Sequence, residues 1–330
     1  MPKRVVPRAV EPLDVRAGHV ESALDRVREV AVRTPVHRIE DRGGAEVLLK
    51  LENLQRLGAF KIRGAWNRMS RLSEDERRRG VTTISSGNHG YAVAWSARKL
   101  GLRCRVRVPE GAASRKVENI RSAGAEVVPM PRAELVRAHE EELWRSWPEV
   151  FIHPFAHAEV IAGQGTIGWE LAEDVPDVRT VLVPVGGGGL STGIAIALKS
   201  RLPGVKVFGV QAEGAAALPT VFRTKKPYRV DAPTTIADGI AIGMILPAMA
   251  DLLLRHLDGC YVVSDEDIKE GMRRLALEAK IVAEPAGAAG FAAWRRYREE
   301  LEPPVAVVIS GGNVDPQLLA DLLRVQEGSR

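Results

Sequence analysis

The sequence of 330 residues predicts an α/β fold with mostly parallel, twisted sheets covered by helices on both faces. Short apolar runs typical of strands alternate along the chain with longer runs that have helical spacing. Loops rich in glycine, serine and asparagine follow several of the strand-like runs directly. Since ligands of parallel sheets bind beyond the carboxyl ends of the strands, these loops are the expected functional positions.

Each predicted element has a local justification. The strand-like runs are rich in valine and isoleucine and cover residues 47–51, 81–84, 104–108, 126–128, 180–185, 207–210 and 305–309. The first helix is expected to stop before Thr34-Pro35, and Ser264 with Asp267 predicts the capped start of a later one. Helical spacing covers residues 22–32, 63–72, 91–100, 114–123, 133–147, 163–172, 190–198, 266–279 and 284–297.

Composition excludes several classes of function. Hydrophobic residues make up 45% and charged residues 27%, which is ordinary for a globular protein, and no apolar run is long enough to span a bilayer. The net charge of +5 is spread along the chain and aromatic residues are only 5%, so we expect no nucleic-acid binding. Residues 1–14 lack the apolar segment of a signal peptide, and two cysteines make no disulfide framework, so a cytoplasmic location is expected.

Lys61 is the first candidate for chemistry. It lies between Phe60 and Ile62, with a glycine three residues before it and another three residues after. A lysine at a loop-to-helix junction can be held in a pocket, where burial lowers its pKa and makes it a better imine-forming amine. The stretch alone leaves open a surface lysine whose stem covers apolar atoms.

A run of four glycines is the second candidate: Gly186, Gly187, Gly188 and Gly189 separate the predicted strand 180–185 from an apolar helix. Backbone without Cβ atoms can wrap closely round an anion, and the helix that follows adds the partial positive charge of its N-terminus. The run therefore predicts a phosphate site. A flexible linker is the alternative, although linkers are not flanked by two buried apolar runs.

Other strand-end loops complete a pattern. Ser85-Ser86-Gly87-Asn88-His89 offers hydroxyls, an amide and N–H groups at a helix start, which suits a carboxylate, although an ordinary helix cap is the alternative. Ser310 ends the last strand and Glu284 begins a helix; both are weak signals alone. A lysine, an anion cradle and a phosphate cradle together fit pyridoxal 5′-phosphate held as an imine.

With these motifs the chain resembles the threonine/serine dehydratase group, including serine racemases, of the pyridoxal-phosphate enzymes with the tryptophan-synthase-β fold, or fold type II. The resemblance covers residues 49–315, and Ile62 favours dehydratases over cysteine and threonine synthases. The motifs that carry it are Phe60-Lys61-Ile62-Arg63-Gly64-Ala65, Ser85-Ser86-Gly87-Asn88-His89-Gly90, residues 161–167, 186–190, 235–239 and 284–288, and Ser310-Gly311-Gly312-Asn313-Val314-Asp315.

The resemblance implies a role for each matched residue. Lys61 is expected to form the imine and to move protons at the α-carbon of the substrate, with Ser86 as a second catalytic residue. Cofactor contacts are implied for Phe60, Lys61, Asn88, Gly186, Gly187, Gly188, Gly189, Leu190, Glu284 and Ser310. Substrate contacts are implied for Ser85, Ser86, Asn88, His89 and Arg137.

The implied architecture has two domains. A large cofactor-binding domain is expected from residues 1–73 and 154–330, with a small mobile domain, 74–153, inserted into it. A small amino-acid substrate and a homodimer or higher homo-oligomer follow from the same resemblance. No metal is expected, because Pro219 stands where metal-binding members carry an acid after Glu213. Since the chain ends soon after Asp315, we also expect no regulatory domain.

The implied activity is a dehydratase, or ammonia-lyase, that converts L-threonine or L-serine to 2-oxobutanoate or pyruvate. Ala59 and Tyr91 depart from the residues common in the family, which leaves the substrate open. One alternative is an amino-acid racemase with the Ser86 hydroxyl as the acid/base opposite Lys61. A second is a hydroxyaspartate dehydratase. A third, from a different class, is a non-catalytic protein that binds the cofactor or a metabolite.

Overall fold

The computed structural model describes residues 13–41 and 43–324. The described helices are α1 Ala17–Arg28, α2 Lys61–Met69, α3 Glu74–Arg79, α4 Asn88–Leu100, α5 Ser114–Ser122, α6 Arg132–Glu140, α7 Ala158–Asp174, α8 Gly189–Arg201, α9 Leu218–Thr224, α10 Pro247–His256, α11 Asp265–Leu277, α12 Pro285–Tyr297 and α13 Pro316–Leu323. The strands are β1 Val36–Glu40, β2 Glu46–Lys50, β3 Val81–Ile84, β4 Cys104–Pro109, β5 Glu126–Met130, β6 Val150–Phe151, β7 Thr180–Pro184, β8 Lys206–Ala212, β9 Tyr228–Arg229, β10 Met244–Ile245, β11 Gly259–Val263 and β12 Val305–Val308.

The larger sheet has six strands in the order β1-β2-β12-β7-β8-β11, and every pair except the antiparallel β1–β2 edge is parallel. Its two faces are buried in different hydrophobic clusters. In β7, Val181 and Val183 pack with residues of α1, α7, α8 and α10, whereas Leu182 packs with residues of α11 and α12. The prediction of a mostly parallel sheet covered on both faces is therefore confirmed, because successive side chains of each strand bury into opposite layers.

The second sheet has four strands in the order β5-β4-β3-β6, all parallel. All four lie within residues 74–153, the range expected for the inserted domain. Strands β9 and β10 form a separate antiparallel pair. Among the described residues, no helix has the length and apolarity needed to cross a membrane.

The first helix differs from its prediction. It begins at Ala17 and ends at Arg28, not over residues 22–32. Beyond its end, side chains from later in the chain take the backbone groups that a helix would use. Arg56 Nε donates to the Val30 carbonyl at 2.7 Å, and the Gln55 amide bonds both the N–H and the carbonyl of Val32 at 2.8 Å. The helical spacing of apolar residues continues past Arg28, but tertiary hydrogen bonds to the backbone end the helix there.

Several other elements had no prediction: β1, β6, α9, α10, β11, α13 and the β9–β10 pair. The edge strand β1 buries none of its five residues fully, so it lacks the apolar run of the central strands. In contrast, the predicted cap of α11 is present, since Ser264 Oγ accepts from the Asp267 N–H at 3.1 Å. The expectation that residues 1–14 hold no targeting segment concerns residues that mostly lie outside those described.

Candidate active site

A cavity of about 450 Å³ opens where the carboxyl ends of strands from the two larger sheets face one another. The loop after β3 contributes Ser85 and Ser86, and the loop after β7 contributes the four glycines. Ser310 follows β12 and Lys61 opens α2 on the same wall. Motifs that are far apart in the sequence therefore line one space, as parallel-sheet geometry predicts.

Lys61 holds its amine inside this cavity. Its Nζ donates to the carbonyl oxygen of Pro154 at 2.9 Å and lies 5.1 Å from the centre of the Phe60 ring. Burial of the ammonium lowers the pKa of Lys61 to about 8, against the opposing negative charge of Glu284. A buried amine with a pKa close to neutrality can lose its proton and then act as a nucleophile or base.

The glycine loop has no room for side chains. A Cβ on Gly187 would lie 2.4 Å from carbons of the Phe155 ring, and one on Gly189 would lie 2.7 Å from the Phe155 carbonyl oxygen. Gly188 has a φ of +95°, which glycine adopts at little cost. Within the described residues, the N–H groups of Gly186, Gly187 and Gly188 make no backbone hydrogen bond. With the N-terminus of α8 behind it, the loop has the features of a phosphate cradle.

Asn88 is hydrogen-bonded to two residues that are distant in the sequence, Glu284 at the start of α12 and Asn313 in the loop after β12. Its Nδ2 donates to Glu284 Oε1 at 2.7 Å, and its Oδ1 accepts from Asn313 Nδ2 at 2.8 Å. Glu284 is buried; burial and the charge of Asp238 raise the pKa of its carboxyl to about 7, although the hydrogen bond from Asn88 opposes that shift. A proton is thus available on either Lys61 or Glu284 near neutral pH.

Ser85, Ser86 and His89 surround the N-terminus of α4, which begins at Asn88. The His89 Nε2 lies 2.9 Å from the Ile152 carbonyl oxygen, so this nitrogen must carry the hydrogen, because a carbonyl only accepts. Burial lowers the pKa of His89 to about 3, which leaves its ring neutral and its Nδ1 without a proton. A substrate carboxylate would therefore be bound by the hydroxyls and by main-chain N–H groups at the helix start, not by the His89 ring.

Ser310 is buried at the end of β12 and lines the cavity. Its carbonyl oxygen accepts from the Phe60 N–H at 3.1 Å, which joins the loop of the last strand to the lysine loop. No described residue hydrogen-bonds the Ser310 hydroxyl, so this group can meet a ring nitrogen of a ligand. Leu190, in the first turn of α8, also lines the cavity.

Arg137 is the one proposed site residue that the structure does not bring to the cavity. Leu135 and Ala138 form the buried face of α6, so Arg137 lies on its exposed side. His139, from the same helix, lines the cavity instead. Only the orientation of α6 decides which of its residues faces inward.

The sequence analysis did not identify two residues whose ion pair spans the cavity. Lys116 on α5 forms an ion pair with Asp238, from a short turn beside the glycine loop, and both side chains line the cavity. Asp238 belongs to the 235–239 motif, which is a signal that could have identified it. Lys116 sits on a charged helix face and carries no such signal. Among the described residues, no group of three or more His, Cys, Asp and Glu side chains could hold a metal ion.

Comparison with known proteins places this geometry in context. A model for the family "Pyridoxal-phosphate dependent enzyme" matches residues 27–311. The chain is 42% identical over 278 residues to an L-threonine ammonia-lyase of Thermotoga maritima, which covers 84% of this chain and 69% of that protein. It is 37% identical to an L-threo-3-hydroxyaspartate ammonia-lyase of Saccharomyces cerevisiae, over 94% and 97% of the two chains. The structure of maize serine racemase superposes with a TM-score of 0.86 at 30% identity, over 93% and 96% of the chains.

Proposed function

Because the chain belongs to the pyridoxal-phosphate dependent enzymes, within their ammonia-lyase and racemase group, we propose that it is an ammonia-lyase acting on L-threonine or L-serine. The observation that carries the proposal is that a half-buried lysine, a glycine loop and a hydroxyl-rich helix start line one cavity. Similarity to a threonine ammonia-lyase at 42% identity supports the lyase over other members of the group.

The residues of the cavity fit pyridoxal 5′-phosphate. The glycine loop, which a Cβ would fill, and Leu190 would hold its phosphate, and Lys61 would hold its aldehyde carbon. Phe60 would pack near the ring, while Asn88 with Glu284 would face the phenolic oxygen and Ser310 the ring nitrogen. When bound, this cofactor supplies an electron-withdrawing ring that stabilises negative charge at the α-carbon of an amino acid.

The protein's own groups then bind and move protons. Ser85, Ser86 and the N–H groups at the start of α4 hold the substrate carboxylate. The Lys61 amine takes the proton from the α-carbon, a role suited to a base whose pKa is about 8. The β-hydroxyl leaves with a proton as water. A water molecule re-enters when ammonia is released, so L-threonine gives 2-oxobutanoate and ammonia.

We propose that the small domain, residues 74–153, closes on the large one when substrate binds. Support comes from the contacts that cross the cavity between elements of the two sheets, namely Lys116 with Asp238 and Asn88 with Glu284. These polar contacts, together with that of Asn313 to Asn88, can break and reform as the cavity opens. The homo-oligomeric assembly and the cytoplasmic location remain predictions from the sequence.

A racemase is the second candidate, and Ser86 is the observation that favours it. Its hydroxyl lines the same cavity as Lys61, and a serine racemase of Schizosaccharomyces pombe is 37% identical to this chain. Racemisation requires a base on one side of the α-carbon to remove its proton and an acid on the other side to return one. A hydroxyaspartate substrate is the third candidate, in view of the Saccharomyces cerevisiae relative.

Substrate profiling of the purified, cofactor-loaded protein tests the proposal. We expect 2-oxo-acid release from L-threonine or L-serine at a kcat/KM well above that for L-threo-3-hydroxyaspartate, with little D-serine formed from L-serine. Lys61→Ala is the matched control and should lower the rate by at least roughly a thousandfold. Preferential turnover of hydroxyaspartate, or D-serine without pyruvate, would favour the other candidates. Cofactor uptake without turnover of any amino acid would favour the non-catalytic alternative.

A further inference from the structure

Asn313 makes two hydrogen bonds with one atom. Its Nδ2 lies 2.7 Å from the carbonyl oxygen of Leu57 and 2.8 Å from Oδ1 of Asn88. A main-chain carbonyl only accepts, so the side-chain atom of Asn313 that faces Leu57 must be its NH₂ group. Both hydrogens of that group are then used, one on each acceptor.

This arrangement decides which way the Asn88 amide points. Asn313 donates to Asn88, so the Asn88 atom that faces Asn313 must be its side-chain oxygen. The NH₂ group of Asn88 therefore points away from Asn313. One N–H of that group reaches Glu284 Oε1 at 2.7 Å. The other N–H remains for a ligand in the cavity, which Asn88 lines. Donation thus starts at Asn313, which donates to both Leu57 and Asn88, and continues from Asn88 to Glu284.

The backbone holds Asn313 in place. Gly58 has a φ of +72°, and a Cβ there would lie 2.5 Å from Asn313 Oδ1, so the side chain packs directly on this glycine. The Gly312 N–H donates to the Gly58 carbonyl at 2.8 Å, and Ala59 bridges Gly311 in antiparallel fashion. The lysine loop and the loop after β12 are therefore paired as a unit, with Asn313 at their junction.

We propose that Asn313 is a positioning residue that fixes the amide of Asn88, so that its NH₂ group and not its oxygen faces the cofactor. This inference rests on the proposed contact between Asn88 and the phenolic oxygen of pyridoxal 5′-phosphate. That oxygen accepts hydrogen bonds, and so does the Glu284 carboxylate in its ionised form. A reversed amide would place an acceptor against two acceptors, which costs the hydrogen bonds and leaves polar atoms unpaired.

Asn313→Asp tests the proposal in the full-length, cofactor-loaded protein. The aspartate has nearly the same shape, but its carboxylate cannot donate to Leu57 or to Asn88, so Asn88 loses the partner that holds its oxygen. We expect the Kd for pyridoxal 5′-phosphate to rise at least about tenfold, and the visible absorption maximum of the bound cofactor to shift. Asn313→Ala removes the donor without adding charge. It should change the Kd and the absorption maximum in the same direction, but by less.

A matched control lies nearby. Asn53 donates from Nδ2 to the Val282 carbonyl at 3.1 Å and packs beside Gly312, but it contacts neither Asn88 nor the cavity. Asn53→Asp therefore makes the same chemical change in the same region and should leave the absorption maximum unchanged. Melting temperatures of all variants identify any that fail to fold.

The decisive measurement is the double variant. In an Asn88→Ala background, Asn313→Asp should change the Kd and the absorption maximum no further, because the amide it orients is gone. The proposal would be overturned if Asn313→Asp raised the Kd by the same factor in the Asn88→Ala background as in the wild-type protein. An unchanged Kd and spectrum for Asn313→Asp alone would also overturn it. Normal cofactor affinity in Asn88→Ala would overturn it together with the proposed role of Asn88. Wild-type protein that takes up cofactor yet turns over no amino acid would remove the proposed lyase activity while leaving this result intact.

Discussion

The Lys61 Nζ lies 2.9 Å from the carbonyl oxygen of Pro154, to which it donates a hydrogen bond. Lys61 begins α2, whereas Pro154 lies where the chain returns from the four-stranded sheet to α7. The carbonyl holds the amine in the cavity without adding a charge that would stabilise the ammonium. Burial consequently dominates, and the pKa of Lys61 falls to about 8.

The pH dependence of cofactor loading follows from that pKa. Only the neutral amine attacks an aldehyde, so below about pH 8 the rate constant for recombination of apo-protein with pyridoxal 5′-phosphate should rise about tenfold per pH unit. The rate constant should level off above about pH 8. For a lysine with the ordinary pKa of 10.5, it would keep rising until the pH approached that value. Stopped-flow absorbance from pH 6 to roughly pH 10 measures the profile.

Glu284→Gln sharpens this test. The negative charge of Glu284 raises the pKa of Lys61 against the effect of burial, so its removal should move the plateau to lower pH. A plateau that stays in place or moves to higher pH would show that Glu284 does not act on the lysine through its charge.

Gly187→Ala should weaken cofactor binding. The added Cβ would meet carbons of the Phe155 ring at 2.4 Å, so either the ring or the loop must move. We expect the Kd for pyridoxal 5′-phosphate to rise at least about tenfold, because a displaced cradle loses N–H contacts to the phosphate. Equilibrium dialysis of the purified variant measures this.

Gly18→Ala is its control. Gly18 lies in α1, and a Cβ there meets nothing within 4 Å. This change should leave cofactor affinity unchanged and stabilise the fold by about 0.5–1 kcal/mol, since alanine loses less backbone entropy in a helix. Equal cofactor affinity for both alanine variants would exclude a tight cradle at Gly187.

Arg63→Met should strongly destabilise the protein. The buried guanidinium pairs with Glu52 at 2.8 Å and with Glu170 at 2.7 Å. Its loss leaves the buried Glu52 carboxylate without its ion-pair partner, while Glu170 keeps, among the described residues, only Lys50 at 2.8 Å. We expect the free energy of unfolding to fall by about 3–5 kcal/mol, measured by urea denaturation at neutral pH.

The exposed pair of Arg78 with Asp75 gives the comparison. Arg78→Met should change the free energy of unfolding by less than about 0.5 kcal/mol, because both partners are in water. If the free energy of unfolding fell by similar amounts in the two methionine variants, the buried ion pairs of Arg63 would not be stabilising α2.

Ser86→Ala separates carboxylate binding from proton transfer. If Ser86 only helps to hold the substrate carboxylate, kcat/KM for ammonia release should fall by about tenfold, the value of one hydrogen bond to a charged group. Any D-serine formation should fall by the same factor, whereas its selective loss would indicate that the Ser86 hydroxyl is the acid/base of a racemase. A loss of roughly 10²–10⁴ in lyase activity would instead indicate that the Ser86 hydroxyl moves a proton in the reaction. Coupled assays for pyruvate and D-serine measure both products.

The sequence by itself determined the class of fold and the places where chemistry can occur. Strand and helix patterns are local, and so are the turn residues that follow strands, which is why the glycine loop and the Ser85–His89 segment could be located without coordinates. The lysine motif was equally visible. Local patterns did not find the half-exposed edge strand β1, whose pairing with β2 depends on tertiary contact.

Only the tertiary structure decided which side chains meet. Asn88 contacts Glu284 across 196 residues of sequence and Asn313 across 225, and these contacts follow from how the two sheets face each other. Packing of α6 through Leu135 and Ala138 turned Arg137 outward. The depth of the Lys61 pocket, which no local pattern encodes, set the pKa of its amine near 8. The burial and the orientation of a side chain arise from long-range packing, so they are set only once the chain is folded.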